Sequence, residues 1–298
     1  MAPLSNIFIS FIVLPSMFIH GQHTQFCEMT DQTDETTDDR FLRSIDGKLE
    51  QLSYLFSSWF QSGDKHVHCP PSIIPIQDCD NRVARDCAEL RSMGYRNSGV
   101  YTIYPMTLDH GLDVYCDMKT RQEGWVVIQR RQDGSVNFTR KWQDYRDGFG
   151  DLNGEFWLGN KYIHALTAQR PYRLRVDTVD FENNQKHADY SFFKVENEEN
   201  LFRLFVDTYT YSGTAGDGFR IGNSGAYFST IDMDNDGYGI HCAFTYNLAG
   251  WWYVPIDVCG LSHLNNPYPL TSEHVANGKG LTWSNWNIPL RFTEMKMA

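Results

Sequence analysis

A chain of 298 residues with 41% hydrophobic and 14% aromatic content has the apolar mass for one large domain with an appendage, or for two small domains. Its formal charge of −11 argues against nucleic acid as a partner, which demands a basic footprint, and disfavours docking on anionic lipid.

Residues Ile7 to Ile19 form an uncharged apolar run, broken by Pro15, of a length that suits the hydrophobic region of a signal peptide. Residues 1–21 are therefore expected to be a signal peptide cleaved near Gly21, the mature chain secreted and without a membrane span. Residues 22–40 are acidic and Thr-rich, with too little apolar content to fold alone. Within 41–60, Leu42, Ile45, Leu49, Leu52, Phe56 and Trp59 alternate at spacings of three and four, a short heptad seam interrupted by Gly47. Such a stretch is either an amphipathic helix packed on its own domain or a self-association segment; its acidic and Pro-containing flanks favour the second. Residues 61–77 contain three prolines and read as a linker. His66 and His68 beside Cys69 fall short of a closed zinc site.

From Asp78 to Ala298 the composition turns globular. Trp125–Gln129 and Tyr172–Val176 read as strands, Lys161–Leu166 and Glu199–Phe205 as helical. Strands and helices that mix without strict alternation predict an α+β domain. Gly148 to Gly154 reads as a turn, since its glycine spacing fits no dinucleotide fingerprint. Gly222-Asn-Ser224-Gly-Ala has the look of a protease nucleophile segment, but no His and Asp precede it in the required order, so no catalysis is expected. The triplet Asn137-Phe138-Thr139 is compatible with glycosylation on a surface loop.

Seven cysteines, at 27, 69, 79, 87, 116, 242 and 259, fit an oxidising compartment, and their odd number predicts an interchain bond or a free thiol. Asp232, Asp234 and Asp236 stand two residues apart ahead of Gly237, a pattern that lets side chains converge on one hard cation such as Ca²⁺. An EF-hand would need a bidentate Glu at its twelfth position, where this chain has Ala243. Cys242 lies six residues after Asp236, and Cys259 lies beyond Trp251-Trp252-Tyr253; a bridge between them would pin the acidic loop against the aromatic cluster, which is expected to be core with an exposed edge.

The segments RDCAEL, VYCDM, GWVVIQRRQDGSVNFTRKWQDYRDGFG, FSTIDMDNDGYGIHCAF, GWWY and the ending WSNWNIPLRFTEMKM, in that order, resemble the fibrinogen C-terminal globular domain as found in ficolins, tachylectins and invertebrate fibrinogen-related lectins. The resemblance covers 78–298 and implies a twisted, mainly antiparallel sheet with short helices and a loop-rich subdomain for calcium and ligand. It implies the pairs Cys87–Cys116 and Cys242–Cys259, leaving Cys27, Cys69 and Cys79 for other bonds, with an interchain link at Cys27. It implies Ca²⁺ held by Asp234, Asp236 and the main-chain oxygens of Tyr238 and Ile240, with Asp232 behind them. His241 stands where the family usually has Asn.

In acetyl-binding members the resemblance places the ligand pocket between the two cysteines, Cys242 and Cys259, and beyond. Tyr246 matches a pocket tyrosine, whereas Gly260 replaces a histidine and Asn277 and Gly278 replace Tyr-Ala. The segment joining the cysteines is also longer than in ficolins, adding a rim that includes Asn247 to Gly250. Two functions follow: a calcium-dependent, disulfide-linked oligomeric lectin for acetylated or other glycans, or a fibrinogen-like module for a protein ligand. The first, lectin-like recognition of foreign surfaces, is the leading expectation, and the departures in the pocket push modestly toward the second.

Overall fold

The structure, a computed structural model, describes residues 83–207, 210–219, 224–254, 259–269, 280–284 and 289–298. The signal, acidic, heptad and linker segments, Cys27, Cys69, Cys79, Asn277 and Gly278 lie outside them. All described residues belong to one compact unit, Asp78–Ala298.

In chain order the elements are α1 (Cys87–Ser92), β1 (Gly99–Ile103), β2 (Leu112–Asp117), β3 (Trp125–Arg131), α2 (Trp142–Asp147), β4 (Phe149–Gly150), β5 (Phe156–Trp157), α3 (Asn160–Gln169), β6 (Tyr172–Asp180), β7 (Gln185–Val195), β8 (Leu204–Val206), β9 (Ser212–Gly213), β10 (Phe228–Ser229), β11 (Trp251–Trp252), β12 (Ser262–His263), β13 (Thr282–Trp283) and β14 (Leu290–Met297). The main sheet runs β1-β2-β3-β14-β6-β7-β8, every pair antiparallel. The C-terminal strand β14 is thus inserted between β3 and β6, so the last residues of the chain sit at the centre of the sheet. The fold is α+β, a mostly antiparallel sheet with a few short helices, as the sequence implies.

β6 shows why these residues pair as they do. Tyr172, Leu174, Val176, Thr178 and Asp180 alternate inward and are buried, the period-two pattern of a half-buried strand. α1 starts where Asp86 accepts the Glu89 amide at 3.0 Å, and Asp86 also takes the Tyr172 hydroxyl at 2.7 Å, so the cap is tied to β6. Cys87 and Cys116 are bonded (S–S 1.95 Å), joining α1 to β2.

The predicted helix over Glu199–Phe205 is corrected. A single 3₁₀ turn, Glu198–Asn200, ends at Leu201 and Phe202, both left-handed (φ 52° and 48°), and the chain then extends as β8. Leu204 and Val206 are buried against β7, a tertiary demand that overrides local helical preference. Ser224, the serine of the protease-like segment, has its hydroxyl fully engaged with Val206, donating to its carbonyl (3.0 Å) and accepting its amide (3.1 Å).

Candidate functional site: an acidic loop and a disulfide-closed crown

β10 and β11 pair in register, Phe228 with Trp252 and Ser229 with Trp251, and frame the chain that runs between them. The acidic loop opens with a one-residue bridge, Thr230 to Met233. Asp232 is exposed but tied to the domain: its Oδ1 accepts the Thr230 hydroxyl at 2.7 Å and the Trp142 amide at 2.9 Å. Lys141 gives α2 no side-chain cap, so Asp232 supplies one from 90 residues away. Asn235 anchors the loop at a second point, donating its amide N–H to Ser229 Oγ (2.9 Å) and its side-chain Nδ2 to the Phe228 carbonyl (2.8 Å).

Asp236 is buried at 6% exposure, and its two oxygens accept the amides of Tyr238 (2.8 Å) and Cys242 (2.9 Å). Burial pushes its carboxyl above the usual carboxylate range, and the neighbouring Asp234 charge pushes the same way. Asp234 is exposed and has no hydrogen bond or ion pair among the described residues. Two adjacent carboxylates therefore stand without a Lys or Arg partner. Each keeps free lone pairs, since a carboxylate offers about four acceptor sites.

This donor set fits a hard cation. Asp234 and Asp236 supply charge, and the peptide carbonyls of Tyr238 and Ile240 follow on the same loop. Among the described residues no three His, Cys, Asp or Glu side chains gather at one point, so an ion here would need main-chain oxygens to complete its shell. Asp232 Oδ1 is already taken by the Trp142 amide of α2 and the Thr230 hydroxyl.

Cys242 and Cys259 are bonded (S–S 2.09 Å) across a sequence separation of 17. After Cys242 the chain forms a π-helical turn, Ala243–Asn247, that ends at the left-handed Leu248 (φ 52°). This turn lifts apolar side chains outward. Phe244 is 64% exposed and stacks on the His241 ring at 6.0 Å, while Leu248, Ile240, Met233 and Tyr238 are exposed as well. Tyr246 points the other way and packs, half-buried, against the core.

The aromatic cluster beneath has no exposed edge, which corrects the sequence reading: Trp251 and Trp252 are at 0% and Tyr253 at 1%. Trp252 Nε1 donates to the Phe202 carbonyl (2.7 Å), the Tyr253 hydroxyl donates to Ala249 O (2.7 Å), and Trp251 stacks on Phe219. Cys259 (φ 69°) and Gly260 (φ 114°) are both left-handed and buried. At Gly260 a side chain would be strained. His263 lies behind, its Nε2 on the Cys259 carbonyl (3.1 Å) and its ring against Tyr253; burial pushes it down to about 4.

Two parts of this site were missed in the sequence. The cap that Asp232 gives α2 leaves no local signal. The outward crown could have been suspected from Phe244 and Leu248, apolar residues in a segment that follows neither strand nor helix periodicity.

Residues 83–298 match the family described as fibrinogen beta and gamma chains, C-terminal globular domain. Fibrinogen C domain-containing protein 1-A of Xenopus laevis is 45% identical over 221 residues, 72% of this chain and 47% of that protein. Angiopoietin-4 of Bos taurus is 41% identical over 218 residues, 72% of this chain and 43% of that protein. The chain thus spans about half the length, or less, of these relatives. Among solved structures, the fibrinogen-like globe domain of human ANGPTL2 superposes with a TM-score of 0.67 at 35% identity, covering 72% of this chain and 98% of that one. Lamprey fibrin D-dimer, complexed with the peptide Gly-His-Arg-Pro-amide, gives a TM-score of 0.65 at 33% identity over 87% of this chain and 85% of its own. The chain belongs to the fibrinogen C-terminal globular domain family.

Proposed function

We propose that this chain is a secreted, calcium-dependent recognition protein whose ligand face is the acidic loop and the crown after it, and that its ligand is a protein surface. The observation that carries this reading is the exposure of Ile240, Phe244 and Leu248 around a disulfide-closed turn. Apolar side chains held outward on a rigid loop are the anchors protein partners use, with aromatic residues prominent among them. The lamprey fibrin structure, with its bound peptide, and the angiopoietin relatives support the same class of ligand. Asp234, Asp236 and the carbonyls of Tyr238 and Ile240 would hold Ca²⁺. Bound there, the ion would neutralise two adjacent carboxylates and fix the loop that carries Ile240. An interchain link at Cys27 would join the chain into disulfide-linked homo-oligomers, which raise the avidity of weak sites.

Glycan binding is the second reading, supported by Tyr246, which packs half-buried against the core on the same loop. One experiment separates them. The whole chain is presented to an array of extracellular protein domains and to a glycan array carrying acetylated sugars, with calcium and with chelator. The protein reading expects calcium-dependent binding to a protein domain that F244A/L248A abolishes with no change in thermal midpoint. Binding to acetylated glycans alone, unaffected by F244A/L248A and lost with Y246A, would replace it with the lectin.

A further inference from the structure

The loop between β3 and α2 holds the one Asn-X-Ser/Thr triplet of the chain, Asn137-Phe138-Thr139. Asn137 is exposed, and its Oδ1 accepts the Thr139 amide at 2.9 Å, closing an Asx turn. Its Nδ2 makes no hydrogen bond among the described residues. The middle residue faces the opposite way: Phe138 is 2% exposed, edge-on to Phe149 at 4.9 Å and beneath the Arg131 guanidinium at 3.8 Å. The backbone is held on both sides of the turn. Arg140 Nε donates to the Asn137 carbonyl (2.8 Å), the Tyr145 hydroxyl donates to the Phe138 carbonyl (2.7 Å), and Glu155 gathers the amides of Gln132, Asp133, Gly134 and Val136 upstream.

We propose that Asn137 carries an N-linked glycan, an inference that rests on the secretory routing proposed above. The side-chain oxygen is held and the nitrogen is free at the surface, which is the arrangement a finished glycosyl amide requires. In the transfer, Nδ2 bonds to the anomeric carbon of an oligosaccharide carried on a lipid diphosphate. The bond from that carbon to the diphosphate oxygen breaks, its electron pair leaves with the diphosphate, and the amide gives up one proton. Because Phe138 anchors the turn from beneath, the sugar adds outside the core and displaces no packed side chain.

The test expresses the full chain in cultured eukaryotic cells and compares cells and medium by electrophoresis, before and after a peptide-N-glycosidase. The secreted wild type is expected to shift once, as a single step. Asn137→Gln and Thr139→Val are expected to migrate at the deglycosylated position, whereas Thr139→Ser keeps the shift, which separates loss of the acceptor from misfolding. Chain in the medium with no glycosidase shift overturns the site while leaving secretion intact. Chain that stays in the cytosol without a shift overturns both. A shift that survives in Asn137→Gln would place the glycan elsewhere and also defeat the assignment.

Discussion

Glu155→Gln is the substitution that best tests how the loop ahead of the acidic face is held. Glu155 is wholly buried and accepts four backbone amides, three on Oε1 at 2.7 to 3.1 Å and one on Oε2 at 3.2 Å. It also faces Arg131, 1% exposed, at 3.6 Å. Glutamine keeps the shape but presents an NH₂ group where an acceptor is required, so at least one of these part-buried amides loses its partner, at about 1–3 kcal/mol. The Arg131 charge meanwhile loses its carboxylate, and breaking a buried pair from one side costs about 3–5 kcal/mol. The two effects share atoms and do not add in full, so a loss of roughly 4 kcal/mol is expected. For a domain of this size each kcal/mol lowers the thermal midpoint by about 2–4 °C, giving a fall of roughly 8–16 °C. Urea unfolding with an unchanged slope should show the same loss, while the half-buried surface control Glu123→Gln, which removes the Arg173 pair, stays within about 1 kcal/mol. A loss below about 1 kcal/mol for Glu155→Gln would refute the claim that this carboxylate organises residues 132–136.

The remaining expectations concern the site and its pH response. Calcium at about a hundred times its dissociation constant should stabilise the folded chain by roughly 2.7 kcal/mol, read as a rise in thermal midpoint. Asp236→Asn should abolish that rise and the heat of calcium titration; an unchanged heat would remove Asp236 from the ligand set. Without calcium, the raised carboxyl of Asp236 stabilises the fold while protonated, so its contribution is lost as pH rises through its folded value. His263 works in the opposite sense. Its folded value of about 4 lies below the ordinary 6.5, so the unfolded chain takes up the proton first and stability falls as pH drops from 6.5 toward 4. The full excursion is on the order of 3 kcal/mol, and His263→Gln should flatten that segment of a pH–stability curve.

The sequence reveals elements whose pattern is local. Trp125–Gln129 and Tyr172–Val176 read as strands, and both are present and longer, to Arg131 and Asp180. Lys161–Leu166 lies inside α3. What escapes is whatever depends on a partner far along the chain. Leu290–Met297 carries Arg, Glu and Lys in eight residues and so hides the most central strand of the sheet. Glu294 and Lys296 are buried there because Arg130 meets Glu294 at 2.8 Å and Lys296 meets both Asp117 and Asp177 at 2.7 Å. Burial opposes both shifts, but the neighbouring charges and hydrogen bonds prevail and hold the Lys296 amine above, and the Asp117 carboxyl below, its ordinary range. A hydrophobic pattern cannot register a strand whose inward charges are neutralised from β2, β3 and β6.

The acidic loop shows the same division within a single site. Its three aspartates look equivalent in the sequence, two residues apart and ahead of a glycine. The fold gives each a different task. Asp232 is committed to the amide of Trp142 and the hydroxyl of Thr230, which fixes the start of the loop to α2. Asp236 is committed to the amides of Tyr238 and Cys242, which draws the end of the loop onto the disulfide. Asp234, between them, is exposed and unpaired. A loop pinned at both ends cannot swing its two remaining charges apart to relieve their repulsion. The chain thereby stores, at one point, an unfavourable field that a divalent cation would reverse. The exposed side chains of Tyr238, Ile240 and Phe244 lie between the pin at Asp236 and the end of the π-helical turn, so whatever settles that field would also settle the apolar surface that follows it.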